Sequence, residues 1–274
     1  MLPDKKFFRD YCASKNIPWR EREILREYLQ TQILKVLSLS DYGDAVSFLG
    51  GTSLRFIHNI ERFSEDLDFD LVKKEGFSID NLGNELKKGL ERLGFDLDIK
   101  VKTTENIHII YLKFKGILQE FGFRLPKDEK FFIKFEIDFS PYVSIKTETK
   151  FVDSFNERFP ILINTLPTLF AQKIIALKLR PYQKGRDFYD LVWFLAQKNL
   201  EPNYAIFQEK NFFGKEPACR QAGKKELILE LQKIIARLDL KQATKDVSPF
   251  LFHSEQSKWI LQLPEFIGNI KDLH

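Results

Sequence analysis

Acidic and apolar residues alternate along Ser64-Glu65-Asp66-Leu67-Asp68-Phe69-Asp70. Drawn out as a strand, this segment sends Asp66 and Asp68 to one face and Leu67 and Phe69 to the other. Like charges so close repel, and a bound cation is a natural reason for such an arrangement. A second stretch, Phe131–Ser140, reads FFIKFEIDFS and places Lys134, Glu136 and Asp138 in alternation with Phe135, Ile137 and Phe139. Acids on a strand otherwise this apolar need a partner, and a metal would be one.

Three chemistries compete for Asp66, Asp68 and Asp70. The plainest is a solvated edge strand whose acids discourage aggregation. Asp96-Leu97-Asp98 has the same spacing and is read in that way, because only Gly94 precedes it and no second element supports it. A calcium loop requires Gly at its sixth position and Glu at its twelfth, where this chain has Leu71 and Phe77, so that register fails. The third reading is a Mg²⁺ site for phosphoryl or nucleotidyl transfer. Mg²⁺ takes one or two carboxylates plus substrate phosphates, and a pair of such ions activates the attacking hydroxyl and stabilises the leaving pyrophosphate. Asp138 is the preferred third carboxylate, with Glu136 on the same side of its strand.

The elements that must position these residues are legible as patterns. The apolar run Ala45–Leu49 reads as a buried strand, and Gly50-Gly51 as the turn after it. Thr52 or Ser53 is expected to cap a short helix over Leu54–Ile60. Glycines let the backbone come close to a triphosphate, whose oxygens accept from Ser53 and from main-chain N–H groups at the helix start. Upstream, Trp19–Leu39 reads as an amphipathic helix with Ile24, Leu25, Tyr28, Leu29, Ile33 and Val36 on one side. Downstream, Ser78 caps a helix that stops at Gly94, and strands follow at Asp96–Lys102 and His108–Phe114. Gly116, Gly122 and Pro126 break the chain before the Phe131–Ser140 strand.

From about Thr165 the pattern turns helical. Leu166–Arg180 and Arg186–Leu195 are two helices joined through Pro181 and Gly185, and Glu226–Leu238 is a third, preceded by a loop over Gly214–Gly223. The expected division is an α+β part over 1–164, a mixed sheet flanked by helices, and a helical C-terminal domain over 165–274.

Composition narrows the class. At 274 residues, 43% hydrophobic and 30% charged, the chain is expected to be globular, and its 27 Phe against one Met imply a Phe/Leu/Ile-rich core. A net charge of +4, from 43 basic and 39 acidic residues, is too mild to announce nucleic-acid binding. Lys146, Lys150, Lys173, Lys178, Arg180, Lys184 and Arg186 with Tyr142 and Tyr182 form a candidate RNA-facing groove, or equally a solvated basic surface. Cys12 and Cys219 lack metal-ligand spacing and read as free thiols. His58, His108, His253 and His274 are scattered. No apolar h-region or membrane-length apolar run is evident, which implies a cytoplasmic protein without a membrane partner.

Gly50-Gly51-Thr52-Ser53-Leu54 followed by Arg62-Phe63-Ser64-Glu65-Asp66-Leu67-Asp68-Phe69 resembles the DNA polymerase β superfamily of nucleotidyltransferases, and more narrowly the AbiEii/AbiGii toxin family. A second block supports the narrower likeness: Lys173 and Arg180 on one helix, then Arg186-Asp187 opening the next, with Asp190 three residues on. The resemblance covers roughly 46–195 and implies a polymerase β-like core.

It also implies roles. Asp66, Asp68 and Asp138 would hold Mg²⁺, with two ions expected. Gly50, Gly51, Thr52, Ser53, Arg62 and Ser64 would surround the nucleotide. Lys173 and Arg180 would hold triphosphate charge, and Asp187 would position Lys173. The implied reaction moves a nucleoside monophosphate from an NTP to a hydroxyl acceptor, with tRNA as a candidate acceptor and an antitoxin protein as a candidate partner. A small-molecule nucleotidyltransferase and a non-catalytic NTP- or partner-binding protein of the same fold are the alternatives. An ion-pair net between two helices is the purely structural reading of the Lys173–Asp190 block.

Overall fold

In the computed structural model, residues 2–124, 131–180, 182–209, 211–214 and 220–269 are described. Pro126, Pro181, Cys219 and His274, named above, lie outside them. The chain divides into two units. The first comprises 1–59, 63–141 and 147–163, and the second 60–62, 142–146 and 164–274.

The first unit is built on one mixed sheet. Its strands are β1 (Val46–Leu49), β2 (Leu67–Leu71), β3 (Leu97–Thr103), β4 (Ile107–Phe114), β5 (Phe131–Asp138), β6 (Thr147–Ser154) and β7 (Glu157–Asn164). They lie in the order β3-β4-β5-β2-β1-β7-β6. β2 runs antiparallel to β1 and parallel to β5, so it is a central strand. The edge-strand reading of Asp66–Asp70 therefore fails, and a central strand must give its charges a reason to be there. The apolar alternates do what the pattern requires: Phe69 stacks on Phe135 at 4.3 Å between ring centroids and meets Phe48 at 5.3 Å.

Helices α1 (Lys5–Ser14), α2 (Glu21–Ser38), α3 (Gly50–His58), α4 (Ile79–Arg92) and the single turn α5 (Ile117–Glu120) complete this unit. The Ser78 hydroxyl caps α4 by accepting from the Asn81 N–H at 3.3 Å, as the sequence implied. Two expectations need correction. The helix expected over Trp19–Leu39 forms as α2 with Ile24, Leu25, Tyr28, Leu29 and Ile33 buried, but its burial is not one-sided: Glu27, Gln30, Thr31 and Gln32 are buried as well, while Val36 is only half-buried. α3 begins at Gly50 with Leu49 as its cap residue, so Thr52 and Ser53 sit inside the first turn and cap nothing.

The second unit is helical: α6 (Leu166–Leu179), α7 (Gly185–Leu195), α8 (Tyr204–Glu209), α9 (Arg220–Ala236), α10 (Leu240–Val247) and α11 (Leu263–Asn269). Two 3₁₀ segments, Ser248–Phe250 and Ser254–Gln262, separate α10 from α11. α9 starts at Arg220, so the expected loop over Gly214–Gly223 is already helical in its last four residues. No described helix is long and apolar enough to cross a membrane.

Candidate active site

The acidic face of the sheet is set by strand register. Parallel pairing puts Leu67 beside Phe135, Asp68 beside Glu136, Phe69 beside Ile137 and Asp70 beside Asp138. Asp66 immediately precedes the first paired residue of β2, and Lys134 immediately precedes that residue's partner on β5. Glu136, not Asp138, is thus the carboxylate next to Asp68. Asp138 lies beside the buried Asp70, and its Oδ1 accepts the Ser140 N–H at 2.7 Å. Asp70 is 3% exposed and lies in register with the buried Ser47 on β1.

Lys134 shares this face and is ion-paired with Glu136. Burial acts to discharge the ammonium, but the adjacent Glu136 and the fields of Asp66 and Asp68 outweigh it and hold the Lys134 pKa above its ordinary value.

The Gly-Gly turn meets the acids directly. Gly50 adopts φ +78°, and a Cβ there would fall 2.5 Å from Asp68 Oδ2. Only glycine lets the start of α3 approach this carboxylate. Thr52 donates its hydroxyl to the Asp66 carbonyl, tying the first turn of α3 to the strand that carries the acids. Ser53 is fully buried, and its Oγ has no hydrogen-bond partner among the described residues.

A positioning residue that sequence reasoning missed comes from α2. Gln30, fully buried, donates through Nε2 to the carbonyls of Ser64 at 3.3 Å and Glu65 at 3.0 Å. With Thr52, it fixes three consecutive carbonyls leading into Leu67. The signal was present as three polar residues, Gln30-Thr31-Gln32, between Leu29 and Ile33, because such a run on a helix with apolar residues on both sides must find buried partners.

The chemistry of the donor set suits a hard cation: Asp66 and Asp68 offer carboxylate oxygens, Glu136 lies in register, and the Gly50 backbone leaves room. Among the described residues, no three His, Cys, Asp or Glu side chains converge closely enough to enclose a metal ion.

The remaining candidates gather in the second unit. Arg62 and Asp190 form a buried bidentate pair, Nε to Oδ1 at 2.6 Å and the second nitrogen to Oδ2 at 2.7 Å. Lys173, its side chain 12% exposed, sits between Asp187 Oδ1 at 2.8 Å and Asp190 Oδ2 at 2.9 Å. Arg180, the most exposed member, pairs with Asp187. Three cations thus share two carboxylates in a net that is buried rather than superficial. Burial works against ionised Asp187, but Lys173 and then Arg180 draw its pKa down to about 2. Lys173 in turn is held above its ordinary value, against burial, by Asp187 and Asp190.

Among curated proteins, none matches the sequence. Two solved structures from Helicobacter pylori share the fold, each 20% identical with a TM-score of 0.58 over 92% of this chain: JHP933, covered over 93% of its length, and a protein described as a candidate nucleotidyltransferase, covered over 96%. The family model of the AbiEii nucleotidyl transferase toxin of type IV toxin–antitoxin systems matches residues 32–262. That match spans most of the chain and includes both the acidic strands and the Lys173–Asp190 block, so this protein belongs to the AbiEii family and is a nucleotidyltransferase.

Proposed function

We propose that the protein transfers a nucleoside monophosphate from an NTP to a hydroxyl acceptor with the help of Mg²⁺, acting as a toxin whose acceptor is tRNA. The observation that carries this reading is the register of β2 and β5, which aligns Asp68 with Glu136 under the glycine turn at Gly50. Asp66 and Asp68 would hold the metal, with Glu136 replacing Asp138 as third carboxylate because Asp138 is paired further along the strand. Mg²⁺ bound there would supply Lewis-acid activation of the α-phosphate and lower the pKa of the acceptor hydroxyl.

The chain's own residues have separate tasks. A carboxylate oxygen of Glu136 receives the acceptor proton as the new O–P bond forms and the bond to the pyrophosphate oxygen breaks. Gly50 and Gly51 let the nucleotide approach the backbone at the start of α3, where the buried Ser53 hydroxyl has no hydrogen-bond partner among the described residues. Thr52 and Gln30 keep the Ser64–Asp66 backbone in place and touch no substrate. Within the second unit, Asp187 orients Lys173 and pairs with Arg180, the more exposed of the two cations. Family membership supports a toxin role and an antitoxin partner.

The test is incubation with Mg²⁺, each labelled NTP, and either total tRNA or an aminoglycoside panel, beside an Asp66→Ala/Asp68→Ala control. Label in tRNA that vanishes in the control is the expected result. Label in an aminoglycoside would reassign the acceptor to a small molecule. NTP binding without transfer to any acceptor would remove catalysis from the account.

A further inference from the structure

The acidic face carries one cation of its own. Lys134 lies on β5 one residue before Phe135, the register partner of Leu67, its ammonium is ion-paired with Glu136, and the two paired side chains remain accessible at 28% and 27%. The same i, i+2 pairing occurs at Glu148 and Lys150 on the edge strand β6, where the side chains are 36% and 47% exposed and no acidic strand adjoins them. On β5 the neighbour is β2 with Asp66 and Asp68, so the Lys134 ammonium stands where a divalent ion would have to share Glu136.

We propose that Lys134 is an internal competitor of the metal: it neutralises Glu136 until a divalent ion claims that carboxylate, and then turns to a phosphate oxygen of the nucleotide. This rests on the reading of the acidic face as the metal site. Three carboxylates aligned on adjacent strands repel one another, and one ammonium among them lowers that cost. The same ammonium must be displaced from Glu136 before a metal can use it, which makes bare metal binding weak and couples it to arrival of the triphosphate. A lysine on a flexible stem can make that exchange, because its point charge has no fixed fork geometry to satisfy.

The experiment is Mn²⁺ titration of the nucleotide-free protein, followed by electron paramagnetic resonance of the unbound ion. It compares wild type, Lys134→Met, Lys134→Arg and the exposed control Lys102→Met on β3. Lys134→Met is expected to bind Mn²⁺ about fivefold more tightly, the scale of releasing one half-exposed ion pair. Lys134→Arg and Lys102→Met should stay within about twofold of wild type, the lower end of that same scale. NTP affinity should fall in Lys134→Met and not in Lys102→Met. If Lys134→Met misfolds by circular dichroism, Lys134→Gln takes its place. Mn²⁺ affinity in the Lys134 variant equal to or weaker than wild type overturns the inference while leaving the metal site intact. Wild-type Mn²⁺ binding unaffected by Asp66→Ala/Asp68→Ala overturns the metal reading itself, as does no binding in any variant.

Discussion

Asp66-Leu67-Asp68 and Asp96-Leu97-Asp98 are the same three residues in two settings. The first enters β2, in the middle of the sheet, with β1 on one side and β5 on the other. Its acids lie against Glu136, Lys134 and the Gly50 backbone. The second enters β3, an edge strand, and its acids are met by one cation from the end of the same hairpin: Lys115 Nζ lies 2.8 Å from Asp98 and 3.5 Å from Asp96, with all three side chains substantially exposed. In both, the intervening leucine is buried, so the alternation has one meaning for packing. What differs is dielectric and company. Water and a mobile lysine satisfy the edge acids at little cost, whereas acids on a central strand must find their counter-charge in fixed neighbours or in a ligand.

Substitutions should therefore divide the two triplets sharply. Asp68→Asn is expected to lower nucleotide transfer by about a hundredfold or more, the scale of losing one electrostatic contact to the reacting group. Asp98→Asn should leave the rate unchanged in the same assay. A comparable contrast holds for ion pairs. Asp190→Ala strands the Arg62 guanidinium without its buried partner and should cost about 3–5 kcal/mol in chemical denaturation. Lys115→Ala should leave the thermal midpoint where it was.

The backbone supports of the first triplet come next in size. Gln30→Leu leaves the Ser64 and Glu65 carbonyls without their donor and should cost about 1–3 kcal/mol of stability. Its kcat should fall with little change in KM for NTP, a split that a merely structural role would not produce. Gly50→Ala and Gly94→Ala both place a side chain at positive φ, +78° and +90°, and each should lose about 1–2 kcal/mol. Only Gly50→Ala should also lose transfer activity, because only its Cβ meets the Asp68 carboxylate, the group proposed to hold the metal.

Acid titration gives the smallest contrast. Asp187 has a folded-state pKa lowered from 3.8 to about 2, so its stabilising contribution is present above pH 4 and is withdrawn as pH falls through 2. Asp187→Asn should flatten that part of the stability–pH curve measured by urea midpoint.

Much of this was legible in the residues. Phe131–Asp138 and Leu67–Asp70 announced strands through strict alternation, Ser78 announced a helix start, and the Gly50-Gly51 turn stood out after an apolar run. Strand adjacency was not legible. Alternation says that Glu136 and Asp138 share a face, but only the parallel pairing of β2 with β5 decides which of them meets Asp68. The β6–β7 hairpin was missed because Thr147–Ser154 is largely exposed and shows little apolar alternation. Thr52 was read as a cap by its chemistry, yet a central strand placed a carbonyl within its reach and took the hydroxyl instead. Gln30 was overlooked because a helix pattern is read from its apolar positions, and this helix is buried on its polar ones too.

The central claim is that the strand environment of the first triplet makes it a nucleotidyl-transfer site. The most direct measurement follows α-³²P- and γ-³²P-labelled NTP in parallel, with Mg²⁺ and acceptor, through wild type, Asp66→Ala/Asp68→Ala and Asp96→Ala/Asp98→Ala. The account predicts α-label on the acceptor and γ-label in pyrophosphate for wild type and the Asp96/Asp98 variant, and neither for the Asp66/Asp68 variant. Undiminished transfer by the Asp66/Asp68 variant, or equal losses in both, would contradict it.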